Sequence, residues 1–187
     1  MKRLLMTGAA LALILTGCGS TPPKEAPAPE PSGRAETTQL EFTVEGITEQ
    51  VPAALYIGDG YSIYIPEEGW RYERDRDDNI TEDTWESTAN NEVELHVLRY
   101  AAYPDATVST TKAHFVQDSG YVFEDLMGGE LGDPLTGMDE DGDYLGFMAA
   151  EGLEGETFVV AWEYPARVAE GFGVRLPQIA STFEITK

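Results

Sequence analysis

Cysteine is almost absent: Cys18 is the sole one in a chain of 187 residues. That excludes an internal disulfide, a thiolate metal cluster and a paired redox motif, so any folded part must stand on packing alone. Basic residues are scarce too. Twelve Lys and Arg face 34 Asp and Glu, a net charge of -22. A surface of that sign repels phosphates, which excludes nucleic acid as a partner and keeps a folded domain off anionic lipid headgroups. Histidine is limited to His96 and His114. One falls on an expected strand and the other on an expected helix, without metal-type spacing, so each reads as a surface or packing residue. No apolar run approaches the roughly 20 residues that cross a bilayer. G-x-S-x-G, G-x-G-x-x-G and a phosphate loop are all missing, and Gly171-Phe172-Gly173 is too short to substitute. These absences leave no residue assigned to catalysis, to a cofactor or to a metal.

What is present begins at the N-terminus. Met1-Lys2-Arg3 is a basic start, and Leu4 to Leu15 is an apolar stretch without charge. Its length suits a removable export signal, for which about 7–15 apolar residues are typical. Leu15-Thr16-Gly17-Cys18 follows, and it resembles the lipobox of bacterial lipoproteins. The resemblance implies cleavage before Cys18, with residues 1–17 as signal peptide and Cys18 as the site of lipid attachment, a diacylglyceryl group on its thiol. One acyl chain binds a membrane marginally and two anchor it stably. The expected location is therefore the extracytoplasmic side of a cell membrane, held by the lipid on Cys18. Gly19 is not the Asp that often retains lipoproteins at an inner membrane, so either membrane of a two-membrane cell stays open. Loss of Lys2 and Arg3 with the signal would take the net charge from -22 to -24.

Residues 18–38 read as the lipidated Cys and a tether. Pro22, Pro23, Pro27, Pro29 and Pro31 lie among Ser, Gly, Glu and Ala. Proline fixes φ and removes a donor, so an extended, unpacked spacer is expected, reaching up to roughly 60 Å at about 3.1 Å per residue. Residues 39–187 have the length of one ordinary domain with a sizeable core.

Within that domain most segments read as strands. Leu40 to Val44 alternates apolar and polar residues. A second strand runs from Val51 to Ile57, with a bulge or break expected at Pro52. Asp59-Gly60 marks a hairpin, and Tyr61 to Ile65 alternates again up to Pro66. Trp70 to Arg74, Trp85 to Thr88 and Glu92 to Tyr100 are further strands. In the last, Val93, Leu95, Val97 and Arg99 share one face while Glu94, His96 and Leu98 share the other. A helix follows, capped by Asp105 or Thr107, with Val108, Thr111, Phe115 and Ser119 on one stripe and Gly120 as its stop. Tyr121 to Glu124 is a short strand and residues 125–134 a loop. A hairpin closed by Asp141-Gly142 joins Leu135–Met138 to Tyr144–Glu151. Thr157 to Tyr164 is an apolar strand. Phe172, Leu176, Ile179 and Phe183 form a helical stripe. Pro177 requires that this helix begin only near Arg175, or else that the proline kink it. The expected fold is α+β: a curled antiparallel sheet with two packed helices.

Tyr61 to Trp70, reading Tyr-Ser-Ile-Tyr-Ile-Pro-Glu-Glu-Gly-Trp, resembles the strand–Pro–Gly–Trp opening of PsbP-like domains. Leu176 to Phe183, ending Ile-Ala-Ser-Thr-Phe, is similar to their closing helix. The resemblance covers roughly residues 57–187 and rests on short structural motifs. It implies an α/β/α sandwich and an extracytoplasmic binding module. It carries over no functional residue, and the Leu40–Ile57 hairpin lies outside it.

Several constellations compete as sites. Asp75, Asp77, Asn79, Thr81, Asp83 and Glu86 follow the spacing of a calcium loop, but Ile80 stands where that loop needs Gly. Asp139-Glu140-Asp141-Gly142-Asp143 reads as a hairpin turn before it reads as a cation site. Trp70, Trp85, Trp162 and nine tyrosines exceed what two helices need, and some could line a binding face. The leading expectation is a non-enzymatic domain whose partners are the membrane, through Cys18, and an envelope protein or small ligand. An envelope hydrolase using carboxylates assembled by folding, and a divalent-cation-binding domain, are the alternatives.

Overall fold

A computed structural model of the chain describes residues 33–101, 107–123 and 134–187. The expected signal peptide, Cys18 and the first part of the tether lie outside the described residues. So do Asp105 and most of the expected 125–134 loop.

The first three strands are β1 (Thr37–Val44), β2 (Ile47–Ile57) and β3 (Tyr61–Pro66). With the short β11 (Glu184–Ile185) they form a four-stranded antiparallel sheet in the order β1-β2-β3-β11. β1 begins at Thr37, within the stretch read as tether. Arg34 already packs here: its guanidinium donates to Ser62 Oγ and lies 4.4 Å from the centre of the Tyr64 ring.

The expected break at Pro52 does not occur. β2 runs unbroken through it, with Pro52 opposite Gln39. The reason lies in the direction of the missing donor. Pro52's carbonyl accepts from Glu67 N on the β3 side. The N–H and C=O of one strand residue point the same way, so the β1–β2 ladder loses nothing.

After Pro66, Gly69 takes φ +87° and the chain passes to a second sheet. Its strands are β4 (Trp70–Arg76), β5 (Ile80–Ser87), β6 (Glu94–Tyr100), β7 (Val122–Phe123), β8 (Leu135–Met138), β9 (Tyr144–Glu151) and β10 (Thr157–Tyr164). Their order is β4-β5-β6-β10-β9-β8-β7, antiparallel in every described pair. The strands are thus shared between two sheets, where a single curled one was expected. The fold class stands as α+β.

The two helices lie on opposite faces of the seven-stranded sheet. Helix α1 (Val108–Ser119) starts at the Thr107 cap, whose hydroxyl accepts from Thr110 N, and stops at Gly120 in the left-handed region. Val108, Phe115 and Val116 pack on Leu145, Phe147, Ala149, Val159 and Ala161. Helix α2 (Ala169–Ala180) follows a short 3₁₀ turn and buries Leu176, Ile179 and Ala180. It packs into the larger core between the sheets, with Phe42, Tyr61, Ile63, Trp85, Leu95, Phe158 and Trp162. Pro177 sits inside α2, which begins well before Arg175. The amide it lacks would have reached Gly173. The helix continues past it, with Ser181 N donating to Pro177 O.

β10 is therefore central in both senses. It lies between β6 and β9 and contributes Phe158, Val160 and Trp162 to one core and Val159 and Ala161 to the other. Buried on both faces, it reads as a continuous apolar run rather than an alternating one.

Candidate functional site

The outer face of the seven-stranded sheet has two halves. α1 covers the part built from β9, β10 and the far end of β6. The part built from β4, β5 and the near end of β6 carries polar side chains. The strand register fixes which these are. Arg71 pairs with Glu86, Glu86 with Glu94, and Glu94 with Glu163; Glu73 pairs with Thr84, and Thr84 with His96; Asp75 pairs with Glu82. Paired residues share a face. Six carboxylates thus stand with one Arg and one His.

His96 is the centre of this half-face, with its side chain 15% exposed. Its Nδ1 lies 3.0 Å from Glu82 Oε1 and 3.2 Å from Thr84 Oγ1. Its Nε2 lies 3.4 Å from Glu94 Oε2 and 3.9 Å from Glu163 Oε1. The other Glu163 oxygen accepts from the Tyr121 hydroxyl at 3.3 Å. Burial pulls the imidazole pKa down, but the hydrogen bonds that the ring donates to Glu82 and Glu94, with the Glu163 charge, outweigh it and push it up to about 10. Burial pushes the Glu163 carboxyl up; His96 opposes this and Glu94 adds to it.

The arrangement brings a hydroxyl, an imidazole and carboxylates together, as a nucleophile–base–orienter set does. The contacts argue against that chemistry. Glu82 at Nδ1 is an acceptor-only carboxylate, so Nδ1 must carry its proton toward it. The same nitrogen then has no lone pair to take the Thr84 proton.

A second polar cluster lies on the opposite face of β5. Asp83, 2% exposed, accepts from Tyr61 Oη and Tyr72 Oη at 2.5 Å each and from Tyr56 Oη at 3.1 Å. Arg74 donates to both its oxygens at 2.6 and 2.8 Å. Burial pushes the carboxyl up. The hydrogen bonds from Arg74, Tyr61 and Tyr72 outweigh it and hold Asp83 below the usual carboxylate range. Tyr56 and Tyr61 belong to the small sheet and Asp83, Tyr72 and Arg74 to the large one, so the cluster fastens the two sheets together.

The calcium-loop spacing is overturned by this geometry. Asp75 to Glu86 spans the β4–β5 hairpin, and in strands alternate residues face opposite ways. Asp75 and Glu86 fall on the outer face, whereas Thr81 and Asp83 fall inward; the six oxygens do not converge. Asp77 accepts from Asn79 N and Ile80 N and forms the turn. Asp139 does the same for Asp141 N and Asp143 N, with Gly142 at φ +83°, which is the hairpin turn that was expected there. His114 is exposed on α1. Trp85 and Trp162 are core residues. Trp70 is half-buried and lines a solvent-open cleft of about 230 Å³ with Phe42, Val51, Phe172 and Ile179. That is smaller than the roughly 300–1,000 Å³ of small-molecule sites.

The grouping of Glu82, Glu94, His96 and Glu163 was missed in the sequence. Part of the signal was there, since Glu94 and His96 are two apart on a strand and share a face. Glu82 and Glu163 come from strands whose partners depend on register.

The described strands and helices define the class: an α+β domain with two antiparallel sheets and a helix on each side of the larger. No family model matches the sequence, and no curated protein matches it. Among solved structures, the chain is similar to the solution structure of cyanobacterial PsbP (CyanoP) from Synechocystis sp. PCC 6803. The TM-score is 0.46 and the identity 14%, covering 84% of this chain and 97% of that one.

Proposed function

We propose that this chain is a lipid-anchored extracytoplasmic domain that acts by binding rather than by turnover. The anchor reading is supported by the order of the first residues: a basic start, an uncharged apolar stretch, then Leu15-Thr16-Gly17-Cys18 and a proline-rich spacer. The binding reading is carried by one observation, the Glu82 carboxylate against His96 Nδ1. It leaves the hydroxyl nearest a histidine, Thr84, without a base. Six carboxylates on the open half of the large sheet suit a cationic ligand.

Two measurements test this. Cells expressing the full chain are fed a palmitate analogue carrying a chemical handle. Label is expected on the wild type and lost in Cys18→Ala; label on both, or on neither, overturns the anchor. A hydrolase screen with ester, glycoside and peptide substrates is expected to show no turnover. Turnover abolished by Thr84→Ala or Glu163→Gln overturns the binding reading.

A further inference from the structure

Beyond that reading, we propose that Glu94, His96 and Glu163 form a binding site for a divalent first-row transition ion of the Zn²⁺ class. The ligand atoms are His96 Nε2, Glu94 Oε2 and Glu163 Oε1, all within 4.8 Å of one another. Tetrahedral Zn²⁺ with bonds of about 2.0–2.1 Å sets its ligand atoms roughly 3.3–3.4 Å apart. The Nε2 to Glu94 separation is 3.4 Å and the Nε2 to Glu163 separation 3.9 Å. The two carboxylate oxygens lie within 4.8 Å of each other, so closing the set requires the glutamate side chains to draw together around the ion.

The surrounding contacts are those a metal-binding imidazole needs. A ligating histidine keeps its other ring N–H on a carboxylate or carbonyl, which fixes the tautomer and the ring plane. Here Glu82 Oε1 takes that place at Nδ1, and Thr84 Oγ1 lies beside it. Ligating carboxylates are themselves held by hydrogen bonds. Tyr121 Oη holds Glu163 Oε2, which leaves Oε1 as the oxygen turned to His96. Ligation requires the neutral ring, and the three carboxylates around it then hold negative charge that a dication offsets in large part. One nitrogen with two oxygens favours a Zn²⁺-type ion over Ca²⁺, which takes six or more oxygens. Glu94 is 26% and Glu163 37% exposed, so a fourth position faces solvent.

The site is tested on the full chain in detergent, stripped of metal with a chelator and titrated calorimetrically with Zn²⁺ and, separately, Ca²⁺. Saturable one-to-one Zn²⁺ binding is expected, with no comparable Ca²⁺ binding. His96→Ala and Glu163→Gln should each abolish it. Glu82→Gln should weaken it by roughly 10-fold or more through the ring orientation. The turn variant Asp141→Asn should leave it unchanged. Co²⁺ in place of Zn²⁺ should give visible absorption that Glu163→Gln loses. Absence of saturable Zn²⁺ binding overturns the proposal, as does binding that survives Glu163→Gln or that Ca²⁺ matches. Should His96→Ala fail to fold by circular dichroism, the near-isosteric Glu163→Gln decides. None of these outcomes depends on the lipid at Cys18.

Discussion

Asp83 and His96 are neighbours across the two faces of one sheet, and each is a titratable group set by its partners. Asp83 is the more deeply buried, and its guanidinium partner and three tyrosine hydroxyls are what make an inward carboxylate tolerable there. Removing it strands those donors. Asp83→Ala is therefore expected to destabilise the protein by about 3 kcal/mol, the size of breaking a buried pair, as read by urea unfolding at neutral pH. Arg74→Ala leaves the Asp83 carboxylate buried, 2% exposed, without its counter-charge, so it should cost a similar amount, about 3 kcal/mol. The pH dependence has a definite sign. The folded-state pKa of Asp83 is depressed, so its contribution is present above the unfolded value of about 3.9. It is lost as pH falls from there through the lower folded value. Asp83→Asn should flatten the acid limb of a stability profile taken below about pH 4. An unchanged limb would remove Asp83 as its source.

At the scale of elements, β9 and β10 hold the two cores together, and one contact between them is especially tight. Gly146 on β9 stands opposite Trp162 on β10. A Cβ at Gly146 would lie 2.3 Å from the indole. Glycine is thus required by close approach and not by φ. Gly146→Ala is expected to cost about 1–3 kcal/mol, the usual penalty for overpacking a full core, with a shift in Trp162 fluorescence. The α1 cap is a milder case. Thr107→Ala removes the hydroxyl that accepts from Thr110 N and should cost about 1 kcal/mol, read as a lower melting temperature with unchanged far-ultraviolet signal at 20 °C or thereabouts.

For the molecule as a whole, charge is the dominant quantity. A net -22 repels itself, and the open half of the large sheet concentrates that charge. Raising ionic strength from about 0.01 M to 0.15 M shortens the screening length from roughly 30 Å to 8 Å. The melting temperature is expected to rise over that range in NaCl. A melting temperature that falls would mean that attractive pairs such as Arg71–Glu86 and Arg175–Glu49 outweigh the repulsion.

Local pattern was enough for most elements. The alternation of Glu92 to Tyr100, the apolar run of Thr157 to Tyr164, the Thr107 cap, the Gly120 stop and the Asp141-Gly142 turn each depend on residues close in the chain, and each lies where expected. The misses share a cause. Whether Pro52 breaks a strand depends on which neighbour its missing donor would have faced. Whether Pro177 ends a helix depends on what the preceding turn packs against. Whether Asp75 and Asp83 converge depends on the period of the element that carries them. The sheet partners of β5, β6 and β10 decide the rest. A histidine two residues from a glutamate is a local fact, legible in the sequence by itself. That Glu82 and Glu163 also reach His96 follows from strand register, a long-range property set by burial of the apolar face. The sequence alone determined the strand-rich α+β class, the acidity and the expectation of an anchor at Cys18. Tertiary structure alone decided that the strands part into two sheets and that three glutamates meet one imidazole, because only pairing between distant segments brings those side chains together.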